Sequence, residues 1–101
     1  MKFIFSILLL IPFIVNAQRP LSEVQGEIDS IQQFLKTETN DSNYIKGLRA
    51  WDNLIYAFNP QLDLDLLTQI TKRCEKKLKT TLTKEELAFY KKEYGNSLND
   101  L

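Results

Sequence analysis

The first residue of this chain that could do chemistry is a single thiol. Three cations surround Cys74 in the sequence, namely Arg73, Lys76 and Lys77. Cations near a thiol favour the thiolate, which is the nucleophilic form. However, Cys74 follows Ile70 by four residues, on the apolar stripe of a predicted helix. We therefore expect a buried, unreactive thiol, with redox chemistry as the alternative; a Cys–His nucleophile is excluded because the chain has no histidine.

Acidic side chains could serve as acid–base catalysts or metal ligands, but their positions favour structural roles. Glu86 follows Thr83 by three residues, which is the spacing of a helix capping box. The polar run at residues 40–43 offers oxygen ligands, yet it lacks the glycine and the final glutamate of a twelve-residue calcium loop. No glycine-rich phosphate loop and no serine nucleophile motif is present. The sequence thus predicts a protein that is not an enzyme, with no catalytic residues, no cofactor and no metal site.

Length and composition are those of one small globular domain. The chain has 101 residues, of which 44% are hydrophobic and 26% are charged. Thirteen basic residues balance thirteen acidic ones, so there is no excess of positive charge to predict nucleic-acid binding. One cysteine cannot form an internal disulfide, so stability must come from packing or from a partner.

The N-terminus has the pattern of a secretory signal peptide. Met1-Lys2 gives a positive start, an apolar run of about thirteen residues follows, and Val15-Asn16-Ala17 offers small residues to a signal peptidase. The run is shorter than the roughly 20 residues that span a membrane. We therefore predict cleavage between Ala17 and Gln18, export to the periplasm or the medium, and no membrane span in the mature chain. A retained membrane anchor is the alternative.

Four helices are predicted in the mature domain, residues 18–101. They cover residues 20–35, 43–58, 63–79 and 83–101. Their apolar stripes are Val24, Ile28, Ile31 and Leu35; Tyr44, Leu48, Trp51, Ile55 and Phe58; Leu67, Ile70, Cys74 and Leu78; and Leu87, Tyr90, Tyr94, Leu98 and Leu101. Nothing predicts a sheet. Short connections favour antiparallel neighbours, so the expected fold class is all-α, with about four antiparallel helices packed as helical hairpins.

The second and third helices resemble a tetratricopeptide repeat. Trp51, Asn53, Leu54 and Phe58 fit positions of a repeat's first helix, and Cys74 fits a small-residue position of its second helix. Leu67 and Ile55 depart from the pattern, because repeats carry small residues there. The signal peptide and the order of the helices also resemble the N-terminal region of exported sensor or scaffold proteins of Bacteroidetes-type bacteria.

That resemblance implies an interaction module, and certain side chains are candidates for its surface. Tyr56 and Phe89 lie off the main stripes, and Lys72, Arg73 and Lys76 form a basic cluster at the end of the third helix. The simpler interpretation of the cluster, which the sequence favours, is a solvated helix end whose cations complement the helix dipole. The expected partner is a protein or peptide, or further repeats of the same chain.

The leading functional prediction is an exported, non-catalytic helical interaction module, the N-terminal part of a sensor or scaffold. A small secreted effector or inhibitor that binds a partner protein is the alternative. The stripe of the fourth helix continues to Leu101 without a polar cap. A repeat exposes an apolar face until a neighbour covers it, so we expect either further repeats or self-association.

Overall fold

The computed structural model describes residues 21–101, so the predicted signal peptide and its cleavage site at Ala17 and Gln18 lie outside the described residues. The described chain forms four α-helices, which confirms the all-helical fold class, and it contains no strand. They are α1 (Leu21–Thr37), α2 (Asp41–Ile55), α3 (Pro60–Leu78) and α4 (Lys84–Asp100). Within these residues, no helix is both long enough and apolar enough to cross a membrane.

Polar side chains fix the starts of α2 and α4. The Asn40 side chain accepts a hydrogen bond of 3.0 Å from the backbone N–H of Asn43. At α4, the Thr83 hydroxyl accepts from the backbone N–H of Glu86 at 3.1 Å, and the Glu86 carboxylate accepts from the backbone N–H of Thr83 at 3.0 Å. The predicted capping box is confirmed. The backbone hydrogen bond from Thr83 also lowers the pKa of Glu86.

The turn between α2 and α3 has the predicted length but lies three residues earlier in the chain. Helix α2 ends at Ile55 rather than Phe58, and α3 begins at Pro60 rather than Asp63. Proline suits the first helical position because its missing N–H has no partner there in any case. The Asn59 side chain caps this helix. Phe58 therefore lies in the turn and is exposed, so its predicted place on the stripe is wrong.

The core is formed mainly between helices that are consecutive in the chain, because each described helix packs chiefly on the next one. Its buried members come from all four helices: Val24, Ile28, Ile45, Leu48, Ile55, Leu66, Ile70, Cys74 and Tyr90. Helices α1 and α2 lie close together at Gly47, where a Cβ atom would lie 2.8 Å from Leu35 Cδ2. Glycine at this position is what lets the two helices approach.

The buried face of α4 differs from its predicted stripe. Tyr90 is buried, but Leu98 and Leu101 are 46% and 51% exposed, and Leu87 is also exposed. Instead, α4 buries Ser97, whose hydroxyl lies 2.8 Å from the Thr71 hydroxyl of α3 and hydrogen bonds with it. Helix α4 packs chiefly on α3, so a single neighbour covers only part of its circumference.

Candidate functional site

The basic cluster predicted from the sequence lies around one shallow cavity. Lys72, Arg73 and Lys76 line it, and its volume is about 490 Å³. The other lining residues are Asp41, Gln69, Lys77 and Thr80. Residues 72, 73, 76 and 77 are all cations, and we call these four the basic face. Their spacing on α3 places them on one side of the helix.

Two of these cations are held in place and two are not. Asp41 of α2 pairs with Lys77 Nζ at 2.9 Å and with Arg73 Nη1 at 3.9 Å. The Arg73 guanidinium also stacks 3.8 Å from the centre of the Tyr44 ring. The hydrogen bond to Asp41 raises the pKa of Lys77. Lys72 is exposed, and within residues 21–101 it has no ion pair, so it is available to a ligand. The same is true of Lys76.

The two predicted aromatic residues do not join the basic face directly. Phe89 lies half-buried in a separate cavity, under Lys46 Nζ at 5.4 Å and edge-on to the Tyr90 ring. Lys77 lies 5.9 Å from the centre of that Tyr90 ring, so Phe89 is near the basic face. Tyr56 lines a different cavity, formed where α2 ends and α3 begins. The structure thus brings three of the five predicted residues together.

Cys74 is buried, as the sequence predicted. Burial is the main reason that the pKa of its thiol rises to about 11, and the negative charge of Glu93 adds to the effect. The adjacent Arg73 and Lys76 therefore do not activate it. At neutral pH the thiol is therefore mainly protonated, which disfavours nucleophilic and redox chemistry.

We expect Cys74 to react slowly with a thiol reagent in the folded protein. The reagent can reach the sulfur only when the helices separate, so labelling should be limited by unfolding and should become fast in denaturant. Absorbance with a chromogenic disulfide at pH 8 measures both rates. Native labelling as fast as that of the denatured chain would contradict the structure, and would revive the redox alternative.

A second cavity, which the sequence analysis missed, is lined mainly by acid side chains. Its volume is about 370 Å³, and we call it the acidic pocket. It is lined by Asp52, Asn53, Tyr56, Asp63 and Asp100. Asp52 is only 5% exposed, and its Oδ1 atom has no hydrogen-bond partner. A buried polar atom without a partner is rare and requires an explanation.

The surroundings of Asp52 in the acidic pocket raise its pKa to near neutral pH. Burial raises the pKa of Asp52 from 3.8 to about 7. The neighbouring Asp63 carboxyl raises it further, through a shared hydrogen bond and through charge repulsion. Arg49 opposes this shift only in part, since it pairs with Glu93 at 3.1 Å and with Asp100 at 3.6 Å. Asp52 is therefore protonated in a large share of the molecules near neutral pH.

One signal in the sequence could have revealed Asp52. It follows Leu48 by four residues and precedes Ile55 by three, which places it on the buried face of α2. The predicted stripe contains only large apolar residues, so it does not reveal a carboxylate at the same angle.

No three acidic or thiol side chains among residues 21–101 are placed to hold a metal ion. Comparisons of the chain with protein-family models, with curated proteins and with solved structures gave no match. The function must therefore be argued from the basic face and the acidic pocket themselves.

Proposed function

We propose that this chain is an exported, non-catalytic helical interaction module that binds an acidic segment of a partner protein on its basic face. The observation that carries the proposal is the pair of exposed cations, Lys72 and Lys76, beside a cavity whose other two cations are fixed by Asp41. An interface gains orientation and association rate when opposite charges meet.

The proposed architecture is a set of antiparallel hairpins of tetratricopeptide type. Asp41, at the start of α2, pairs with Lys77 at the end of α3, which supports an antiparallel pair. Helices α3 and α4 show the same pattern, because Thr71 contacts Ser97 and the later residue Glu75 lies 3.5 Å from the hydroxyl of the earlier residue Tyr94. Contacts that run in opposite directions along the two helices support an antiparallel pair. Stacked hairpins offer extended faces to a peptide.

The basic face fits an acidic ligand better than a purely structural role. Cations at the last turn of a helix do complement its dipole. However, Lys72 lies more than a turn before the end of α3, so the dipole does not account for it. Asp41 and Tyr44 instead hold Arg73 as a fixed donor beside Lys72 and Lys76, and a fixed guanidinium binds carboxylates in a defined geometry.

Charge reversal tests the basic face. The double variant Lys72→Glu/Lys76→Glu should weaken binding of a fluorescent glutamate-rich peptide by about tenfold or more, measured by anisotropy at near-physiological salt. Lys91→Glu/Lys92→Glu is the matched control, since these lysines are exposed on α4 and lie outside the basic face. Equal losses in the two variants would mean that the peptide responds to net charge alone, and the proposed surface would be wrong.

We further propose a sensor or scaffold role for the exported protein, in the periplasm or outside the cell. Support comes from exposed Leu98 and Leu101, which offer an apolar surface to further repeats or to a second copy. Intact mass of the exported product tests the export step, and it should correspond to a chain that starts at Gln18. A product that retains residues 1–17 would contradict cleavage.

A further inference from the structure

The acidic pocket contains more negative charge than the described protein neutralises. Helix α2 contributes Asp52, α3 contributes Asp63, and α4 contributes Asp100. Arg49 of α2 is the cation that opposes them, and it is already engaged by Glu93 and Asp100. A buried carboxylate is costly without a cation or donors. Asp52 and Asp63 thus lack a cationic partner of their own.

The buried carboxylate is the second sign of a missing ligand. Asp52 lines the cavity, and only 5% of its surface is exposed. Its Oδ1 atom has no hydrogen-bond partner. The cavity of about 370 Å³ lies within the range of small-molecule sites, roughly 300–1,000 Å³. Tyr56, which is 61% exposed, contributes an aromatic ring to the same cavity.

The chemistry of the lining favours an organic cation over a metal ion. The carboxylates of residues 21–101 do not form a metal-binding group. An ammonium or guanidinium group tolerates looser geometry, because it donates several hydrogen bonds that can reach separate carboxylates. The ring of Tyr56 suits the same ligand, since aromatic faces attract organic cations. Asn53 adds an amide oxygen as a further acceptor.

We propose that the acidic pocket binds an ammonium or guanidinium group, carried by a small amine or by a lysine or arginine side chain of a partner. The cation binds the ionised form of Asp52, so it competes with the proton that Asp52 holds below about pH 7. The site is separate from the basic face, because Asp41, Lys72 and Lys77 line one cavity and Asp52, Asp63 and Asp100 the other. It therefore stands or falls independently of the proposed function.

The test is a titration of the purified protein at pH 8 and pH 5.5. The probes are n-butylammonium and methylguanidinium as free cations, and a lysine-containing peptide as the side-chain source, with sodium chloride at equal ionic strength as the reference. Trp51, the single tryptophan of the chain, does not line the pocket, so binding is measured by isothermal titration calorimetry. We expect saturable binding at pH 8 and about tenfold or greater weakening at pH 5.5, where Asp52 holds its proton.

Three variants decide the interpretation. Asp52→Asn should abolish saturable binding, and Asp63→Asn should weaken it while keeping the pH dependence. Asp65→Asn is the matched control, because Asp65 is exposed on α3 and bonds to Gln69 rather than lining the pocket. If the free cations bind, the site accepts small amines as well as side chains. If only the peptide binds, the site recognises a side chain of a partner protein. A response absent with every probe at pH 8, or unchanged in Asp52→Asn, would overturn the proposal.

Discussion

Replacing Asp52 with asparagine is expected to stabilise the fold by about 2–4 kcal/mol at pH 8 and by less than about 1 kcal/mol at pH 4. The amide keeps the shape of the side chain and has no charge to bury. In the folded protein, burial and Asp63 raise the pKa of Asp52 from 3.8 to about 7. Above pH 7 the wild-type protein must therefore ionise a buried carboxyl group, and the variant avoids that cost.

The sign follows from proton linkage. Because the folded pKa of Asp52 is higher than the unfolded one, the folded state binds the proton more tightly. The contribution of this group to stability is complete below pH 3.8 and is lost as pH rises through about 7. Urea denaturation of both proteins across pH 4–8 measures the difference, with Asp65→Asn as the exposed control. A constant difference between variant and wild type at all pH values would show that the pKa of Asp52 is not raised in the folded state.

Replacing Leu66 with alanine is expected to lower the free energy of unfolding by about 2–5 kcal/mol. Leu66 is 0% exposed on α3, in the centre of the core, so truncation leaves a cavity. Leu64→Ala is the matched control on the same helix, since Leu64 is 48% exposed and its loss should cost about 0.5 kcal/mol or less. The sequence Leu62-Asp63-Leu64-Asp65-Leu66 alternates as a strand would, and the two leucines would then share one face. Equal costs for the two variants would contradict the helical placement.

Local signals made the helix starts predictable. The capping box needs only Thr83 and Glu86 at the correct spacing, and it is present as predicted. The turn at Asn59-Pro60 was also located, but its helix limits shifted because proline can start a helix as well as follow one. Such features depend on a few neighbouring residues, so the sequence contains the information for them.

Burial could not be predicted as well, because it depends on how many neighbours a helix has. Helix α2 lies against both α1 and α3, so a wide part of its surface is covered and Asp52 becomes buried. Helix α4 packs chiefly on α3, so Leu98 stays exposed although it continues the apolar stripe. The periodicity of one helix does not reveal this difference.

The same distinction explains the two cavities. Lys72, Arg73 and Lys76 share one helix, so their grouping followed from spacing alone. The acidic pocket joins Asp52, Asp63 and Asp100 from three helices. The pocket forms only where the ends of those helices meet, and the sequence pattern does not predict which helix ends lie close together.

Packing of each helix on the next one along the chain has a kinetic consequence. Most of the contacts that hold the four helices together join segments close in sequence, which gives a low contact order, and helical proteins of this kind fold in microseconds to milliseconds. Of the three interfaces, the one between α1 and α2 is the least extensive. Helix α1 should therefore detach and re-dock before the other three separate, so its amide hydrogens should exchange with solvent ahead of those in α3. The protein would then alternate between a three-helix and a four-helix state without losing its central core.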